Sequence, residues 1–96
     1  MDLVEKIIKI LDEKKAINIK QIDIKEKTTI ADYFVVASGT SNTHIKSLAD
    51  NVEESLKKES ILPNKIEGYE SATWILMDYG EVIIHLFTEK ERDNSS

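Results

Sequence analysis

The 96-residue chain contains no cysteine, which excludes disulfides, cysteine-based zinc sites and thiolate catalysis. It has two histidines, His44 and His85, so a zinc site would need carboxylates, and none stands at a recognisable ligand spacing. Three glycines and one proline leave no low-complexity stretch or linker that would divide the chain. No run of ~18 apolar residues is present to span a bilayer. Met1 is followed by Asp2 and an amphipathic segment instead of a basic stretch and an apolar run, so no signal peptide is expected and a soluble, cytoplasmic protein is. Basic charge is in deficit as well: 13 Lys and Arg stand against 18 Asp and Glu, a net charge of -5 at pH 7. That field repels phosphate backbones, so direct nucleic-acid binding is not expected.

What is present suits one compact domain. Hydrophobic residues make up 41% and charged residues 32% of the chain, and a domain of this size buries roughly two-thirds of its unfolded surface, enough for a core without staples. Leu3, Val4, Ile7, Ile8, Ile10 and Leu11 recur at helical spacing, with Asp2 as N-cap. From Ile17 to Ile24 the pattern alternates, but its phase changes between Ile19 and Ile22. A strand is therefore expected only over Lys20 to Ile24, preceded by a loop or bulge. Tyr33 to Ala37 is an uninterrupted apolar run, which predicts a strand covered on both faces and central in its sheet. After Ser38 to Ser41, the residues Ile45, Leu48, Ala49, Val52 and Leu56 form one stripe of a helix capped by Ser41 or Thr40 and ending near Lys58. Pro63 resets the chain for a short strand at Lys65 to Glu67, and Gly68 to Ser71 read as a loop.

The last two strands, Thr73 to Asp78 and Val82 to Thr88, are spaced as a hairpin. A loop with an even number of residues puts Trp74 opposite His85 and Leu76 opposite Ile83. It also gathers Ile75, Met77, Val82, Ile84 and Leu86 on one apolar face that must pack on the helices. An odd loop would bury Asp78 in that aliphatic layer, at a cost of several kcal/mol. With the even loop, the opposite face carries Trp74, Leu76, Asp78, Glu81, Ile83, His85 and Phe87, a mixture of large apolar and titratable groups typical of interface centres. General burial tendencies favour the plainer alternative, a core Trp with charges at the edge.

The strand-turn-helix unit at Ser38 to Ser41 could cradle an anion. However, it lacks the P-loop lysine, and no acid pair follows to hold magnesium, so ordinary helix capping is the stronger reading. His44, in the first turn of that helix, has no assignable nucleophile partner and is expected to fix the turn by a hydrogen bond, with Asp32 as the candidate acceptor. His85 is expected to stack beside Trp74. Lys14 with Lys15, and Lys57 with Lys58, read as solvated helix ends.

Two blocks carry a resemblance. The first is Asp32, Tyr33, Phe34, Val35, Val36, Ala37, Ser38, Gly39, Thr40 and Ser41 with His44 and Ala49. The second is Glu67, Gly68, Trp74, Leu76, Asp78, Tyr79 and Gly80, then Val82 to Phe87. In this order and separation they resemble the ribosomal silencing factor family, RsfS or Iojap, over residues 1–92, leaving residues 93–96 as a short polar tail.

The resemblance implies an α+β single domain: a mixed β-sheet with helices packed mainly on one face, in a nucleotidyltransferase-like topology lacking the catalytic acids. It implies no enzyme activity, cofactor or metal. The implied function is translation repression under nutrient limitation, by binding protein fourteen of the large ribosomal subunit and sterically blocking subunit joining. Its partner surface would be Trp74, Leu76, Asp78, His85 and Phe87, with Asp32, Ser41 and His44 structural. An acidic factor suits a basic ribosomal protein. A homodimer through the Trp74 face and a small nucleotide-binding protein using the Ser38 to Ser41 turn are the competing readings. Family members usually continue past the Glu-Arg pair with an aromatic and leucine-rich segment, where this chain has Asp93, Asn94, Ser95 and Ser96.

Overall fold

The expected N-terminal stripe forms α1 (Leu3–Glu13). In the computed structural model, which describes residues 1–95 and the side chains of residues 1–93, α1 is followed by β1 (Ile17–Asp23), β2 (Tyr33–Gly39), α2 (Asn42–Lys57), β3 (Lys65–Glu67), β4 (Trp74–Asp78), β5 (Val82–Thr88) and α3 (Glu89–Ser95). Asp2 caps α1 by accepting the Glu5 N–H, and Ser41 caps α2 by accepting the His44 N–H. Caps of this kind contribute about 1 kcal/mol each.

The strands form one mixed sheet in the order β1-β2-β5-β4-β3. β2 and β5 are parallel, and the other three pairings are antiparallel. β2 is interior, as its apolar run requires, but the middle position belongs to β5. The phase change in β1 is a register irregularity between Ile17 and Lys20. Asn18 there takes a left-handed φ of 54°, a conformation that Asn tolerates better than most residues, and the strand runs on both sides of this bulge.

One sheet face is sealed by the helices. Val35 and Ala37 of β2, Ile75 and Met77 of β4, and Val82, Ile84 and Leu86 of β5 pack with Ile7, Leu11, Ile45, Leu48, Val52 and Leu56 into a single buried cluster. An exposed ion pair between Lys6 and Glu59 links the helical segments at the surface.

The hairpin has the expected parity but not the expected pairing. Trp74 lies opposite Phe87, Leu76 opposite His85 and Asp78 opposite Ile83, a shift of two residues from the predicted partners. The cause is the turn. Tyr79 still pairs, its N–H donating to the Val82 carbonyl at 2.9 Å, so the tip falls at Gly80 and Glu81. Gly80 there has φ +86° and donates its N–H to Asp78 Oδ1 at 2.8 Å. A shift of two preserves alternation, so each side chain stays on its predicted face.

α3 is not foreshadowed in the sequence. It continues β5 without a break and includes Asp93 to Ser95, where a polar tail is expected; Ser96 lies outside the described residues. Its Arg92 donates to Ser38 Oγ at 2.9 Å and to the Ile17 carbonyl at 3.4 Å. This staples the helix over the ends of β1 and β2, on the face that α1 and α2 leave uncovered.

Candidate docking face

Alternation along each strand and the pairing registers define the open face as three cross-strand rows. The middle row spans all five strands: Lys20, Val36, His85, Leu76 and Glu67. One flanking row holds Ile22, Phe34, Ile83, Asp78 and Lys65, and the other holds Ser38, Phe87 and Trp74. His85 is therefore the central residue of the face.

Its two ends are covered by the chain itself. At one end the loop after β1 folds over, and Ile24 and Ala31 bury Ile83 with Phe34 and Leu76 alongside. The loop is pinned by the Asp32 backbone. Its N–H donates to the Glu81 carbonyl at 2.8 Å, and its carbonyl accepts the Ile24 N–H at 2.9 Å. At the other end Arg92 covers Ser38, which is only 3% exposed.

Between these covers stands an aromatic stack. Trp74 lies on Phe87 with ring centroids 5.2 Å apart and an interplanar angle of 22°, which leaves Phe87 8% and Trp74 45% exposed. Its indole N–H donates to His85 Nδ1 at 3.2 Å. Phe34 meets the His85 ring edge-on at 4.7 Å. Burial pushes the His85 imidazole below its ordinary pKa, because a cation there would lose hydration.

Backbone geometry aims the tryptophan. Gly68, with φ +76°, passes so close to the start of β4 that a Cβ would stand 2.1 Å from the Trp74 carbonyl oxygen. Asn42, in the first turn of α2, donates to the Ala72 carbonyl at 2.8 Å, and the Thr88 N–H donates to the Thr73 carbonyl at 3.1 Å. Glu67, Gly68, Trp74 and Leu76 enclose a depression of about 230 Å³. That is smaller than the ~300–1,000 Å³ of typical small-molecule sites and suited to a single protruding side chain.

The five residues expected on the partner surface, Trp74, Leu76, Asp78, His85 and Phe87, thus share one face, with two qualifications. Asp78 Oδ1 is engaged by the turn, and the imidazole of His85 is engaged by Trp74. Ser41 and His44 are elsewhere, at the entry to α2. His44 does not bond Asp32: its Nδ1 accepts the Thr40 N–H at 2.9 Å and its Nε2–H donates to the Lys14 carbonyl at 3.2 Å. This locks the turn to the end of α1. With Ser41 Oγ capping and Ser38 Oγ held by Arg92, the polar groups of this turn are engaged internally. Phe34, Gly68, Asn42 and Arg92 were given no place at the site by the sequence, although Phe34 and Gly68 belong to the two blocks that carry the resemblance. Phe34 follows from alternation once the β2–β5 register is known; the others depend on loop geometry.

Among the described residues no group of three or more His, Asp or Glu side chains is placed to hold a metal ion, and no helix is long and apolar enough to cross a membrane. The fold and this face define a small α+β protein that offers a surface with one exposed aromatic anchor.

The chain belongs to the ribosomal silencing factor family, whose profile, described as ribosomal silencing factor during starvation, matches residues 1–95. The ribosomal silencing factor RsfS of Halalkalibacterium halodurans is 31% identical over 91 residues, 95% of this chain and 78% of that protein. The Mus musculus protein named mitochondrial assembly of ribosomal large subunit protein 1 is 29% identical over 93 residues, 94% of this chain but 41% of the mouse protein. A crystal structure of a Chromobacterium violaceum protein superposes with a TM-score of 0.92 at 32% identity, over 99% of this chain and 82% of that one.

Proposed function

We propose that this protein represses translation by docking the open sheet face on protein fourteen of the large ribosomal subunit and standing where the small subunit must join, under nutrient limitation. The carrying observation is Trp74, an aromatic side chain left 45% exposed while hydrogen-bonded and stacked into a fixed orientation. Aromatic anchors packed against buried neighbours are where binding energy concentrates. The covers at both ends limit the footprint to the middle of the sheet. The net charge of -5 favours encounter with a basic ribosomal protein, while the apolar stack supplies affinity. In this reading the protein acts by occlusion, without catalysis or cofactor, in the compartment that holds its ribosomes. Its fold is a nucleotidyltransferase-like one without the acid pair. A homodimer through the same face would compete with docking.

Co-sedimentation with isolated large subunits, paired with a subunit-joining assay, tests the reading. Wild-type protein is expected to bind at low micromolar concentration or tighter and to block joining. Trp74→Ala should lose about 2 kcal/mol of binding, roughly thirtyfold, with its circular dichroism unchanged. Undiminished binding by the variant would remove the face from the mechanism. Crosslinking from position 74 to a ribosomal protein other than fourteen would correct the partner.

A further inference from the structure

The acceptor that orients Trp74 is itself titratable. Because the indole can only donate, His85 Nδ1 must carry a lone pair, which fixes the neutral tautomer with its proton on Nε2. That second nitrogen is buried and, among the described residues, has no hydrogen-bond partner. A proton added at Nδ1 would set donor against donor and leave a cation among Phe34, Trp74 and Phe87.

None of the surrounding elements supplies a carboxylate in contact with the ring. β5 itself contributes only Ile83 and Phe87 to this face, and β2 only Phe34, Val36 and Ser38. β1 contributes Lys20, in the same row but across β2, and a cation. β4 contributes Asp78, one row away and bound to the Gly80 N–H. β3 contributes Lys65 and Glu67, paired with each other at 3.1 Å. The β1–β2 loop brings Ile24 and Ala31; α3 brings Arg92, bound to Ser38, and Glu89 and Asp93, which gather around Lys20 and Ser38.

We infer that His85 is a positioning residue that holds the Trp74 indole in its docking orientation only while Nδ1 is unprotonated, so that docking is gated by pH. The inference rests on the open face being the docking surface. At neutral pH the acceptor is in place, since burial keeps the imidazole below its ordinary pKa of 6.5. As pH falls through that lowered value, the proton is taken up more readily by states in which the stack has opened, and the tryptophan is released.

The chain has a single tryptophan, so intrinsic fluorescence reports on Trp74 alone. Titrating the intact protein from about pH 8 to about pH 4.5 should give one sigmoidal change in emission with its midpoint below 6.5, while far-UV circular dichroism stays constant. His85→Asn keeps an acceptor oxygen near the Nδ1 position without titrating, and its emission should stay flat; His85→Gln is the second such variant should the first not fold. His85→Leu should show the acid-form emission at every pH.

Co-sedimentation with large subunits, at constant salt, should then weaken about tenfold at the acidic end for wild type relative to His85→Asn. Comparing the two at each pH cancels titration of the ribosome itself. A flat wild-type emission, or an equal pH response in His85→Asn, overturns the inference while leaving docking intact. Absence of wild-type docking at every pH overturns the docking reading, and the gating with it, whatever the fluorescence shows.

Discussion

The two faces of the sheet are made by the same five strands yet are stabilised differently. On the helix side, Val35, Ile75, Met77, Ile84 and Leu86 are fully buried, and their contacts are apolar, with the Tyr79 phenol the titratable group in the same buried cluster. On the other side, one residue along in each strand, Phe34, His85, Leu76 and Trp74 remain partly exposed, and order depends on a stack, an indole hydrogen bond and covers supplied by a loop and a short helix. The first face holds the fold together through buried area. The second tolerates incomplete burial and keeps one large ring at the surface, as expected where the remaining burial comes from a partner.

If this contrast holds, truncation on the sealed face should have the largest effect. Leu86→Ala is expected to lose about 3 kcal/mol of stability in urea unfolding, from lost burial and the cavity left behind, without a specific effect on docking by the protein still folded. Gly68→Ala should follow with about 2 kcal/mol, because the added Cβ meets the Trp74 carbonyl at 2.1 Å in a backbone conformation of positive φ. Unlike Leu86→Ala, it should also shift Trp74 emission.

Trp74→Ala should cost only about 1 kcal/mol of stability, the scale of one aromatic stack. A loss as large as that of Leu86→Ala would mean that the open face is core after all, and the contrast would collapse. Smallest is Tyr79→Phe, on the sealed side. The Tyr79 hydroxyl is buried without a hydrogen-bond partner among the described residues, so its removal should be neutral or raise stability by up to ~1 kcal/mol. Burial, and secondarily Glu53, pushes that phenol from 10.0 up to about 12. The folded state therefore favours the neutral phenol, and stability should fall as pH rises from 10.0 towards about 12. This alkaline decline should be absent in the Phe variant.

Much of this contrast was legible in the sequence because it depends on parity. Placing Asp78 in an aliphatic layer is costly enough to fix which side chains share a face, and a shift of two in the pairing cannot undo that. The shift arose from the turn, where Asp78 and Gly80 satisfy each other and move the tip by one residue, a local balance too fine for hydrophobic pattern. The bulge at Asn18 announced itself as a change of phase. α3 could not, since Glu89 to Ser95 has no apolar stripe and is held by Arg92 bonds to Ser38 and Ile17. The Ile24 and Ala31 cover was hidden because alternation carried Ile24 into a strand that ends at Asp23, and a lone Ala31 in a loop has no periodicity to betray it. The hydrogen bonds of His44 go to Thr40 and Lys14 instead of Asp32, because Lys14 approaches it only through the packing of α1 beside α2.

β5 is the last strand along the chain and the middle strand of the sheet. Its parallel partner β2 lies about fifty positions earlier, a closure that must precede its reward in contacts and slows folding accordingly. During synthesis β1 with β2, and β3 with β4, can pair only as two separate ladders, bridged by α2 but by no strand until residues Val82 to Thr88 have left the ribosome. The stack of Trp74 on Phe87 completes at that same moment. A nascent chain thus lacks the assembled open face, and Trp74 takes its stacked position only once β5 has joined the sheet.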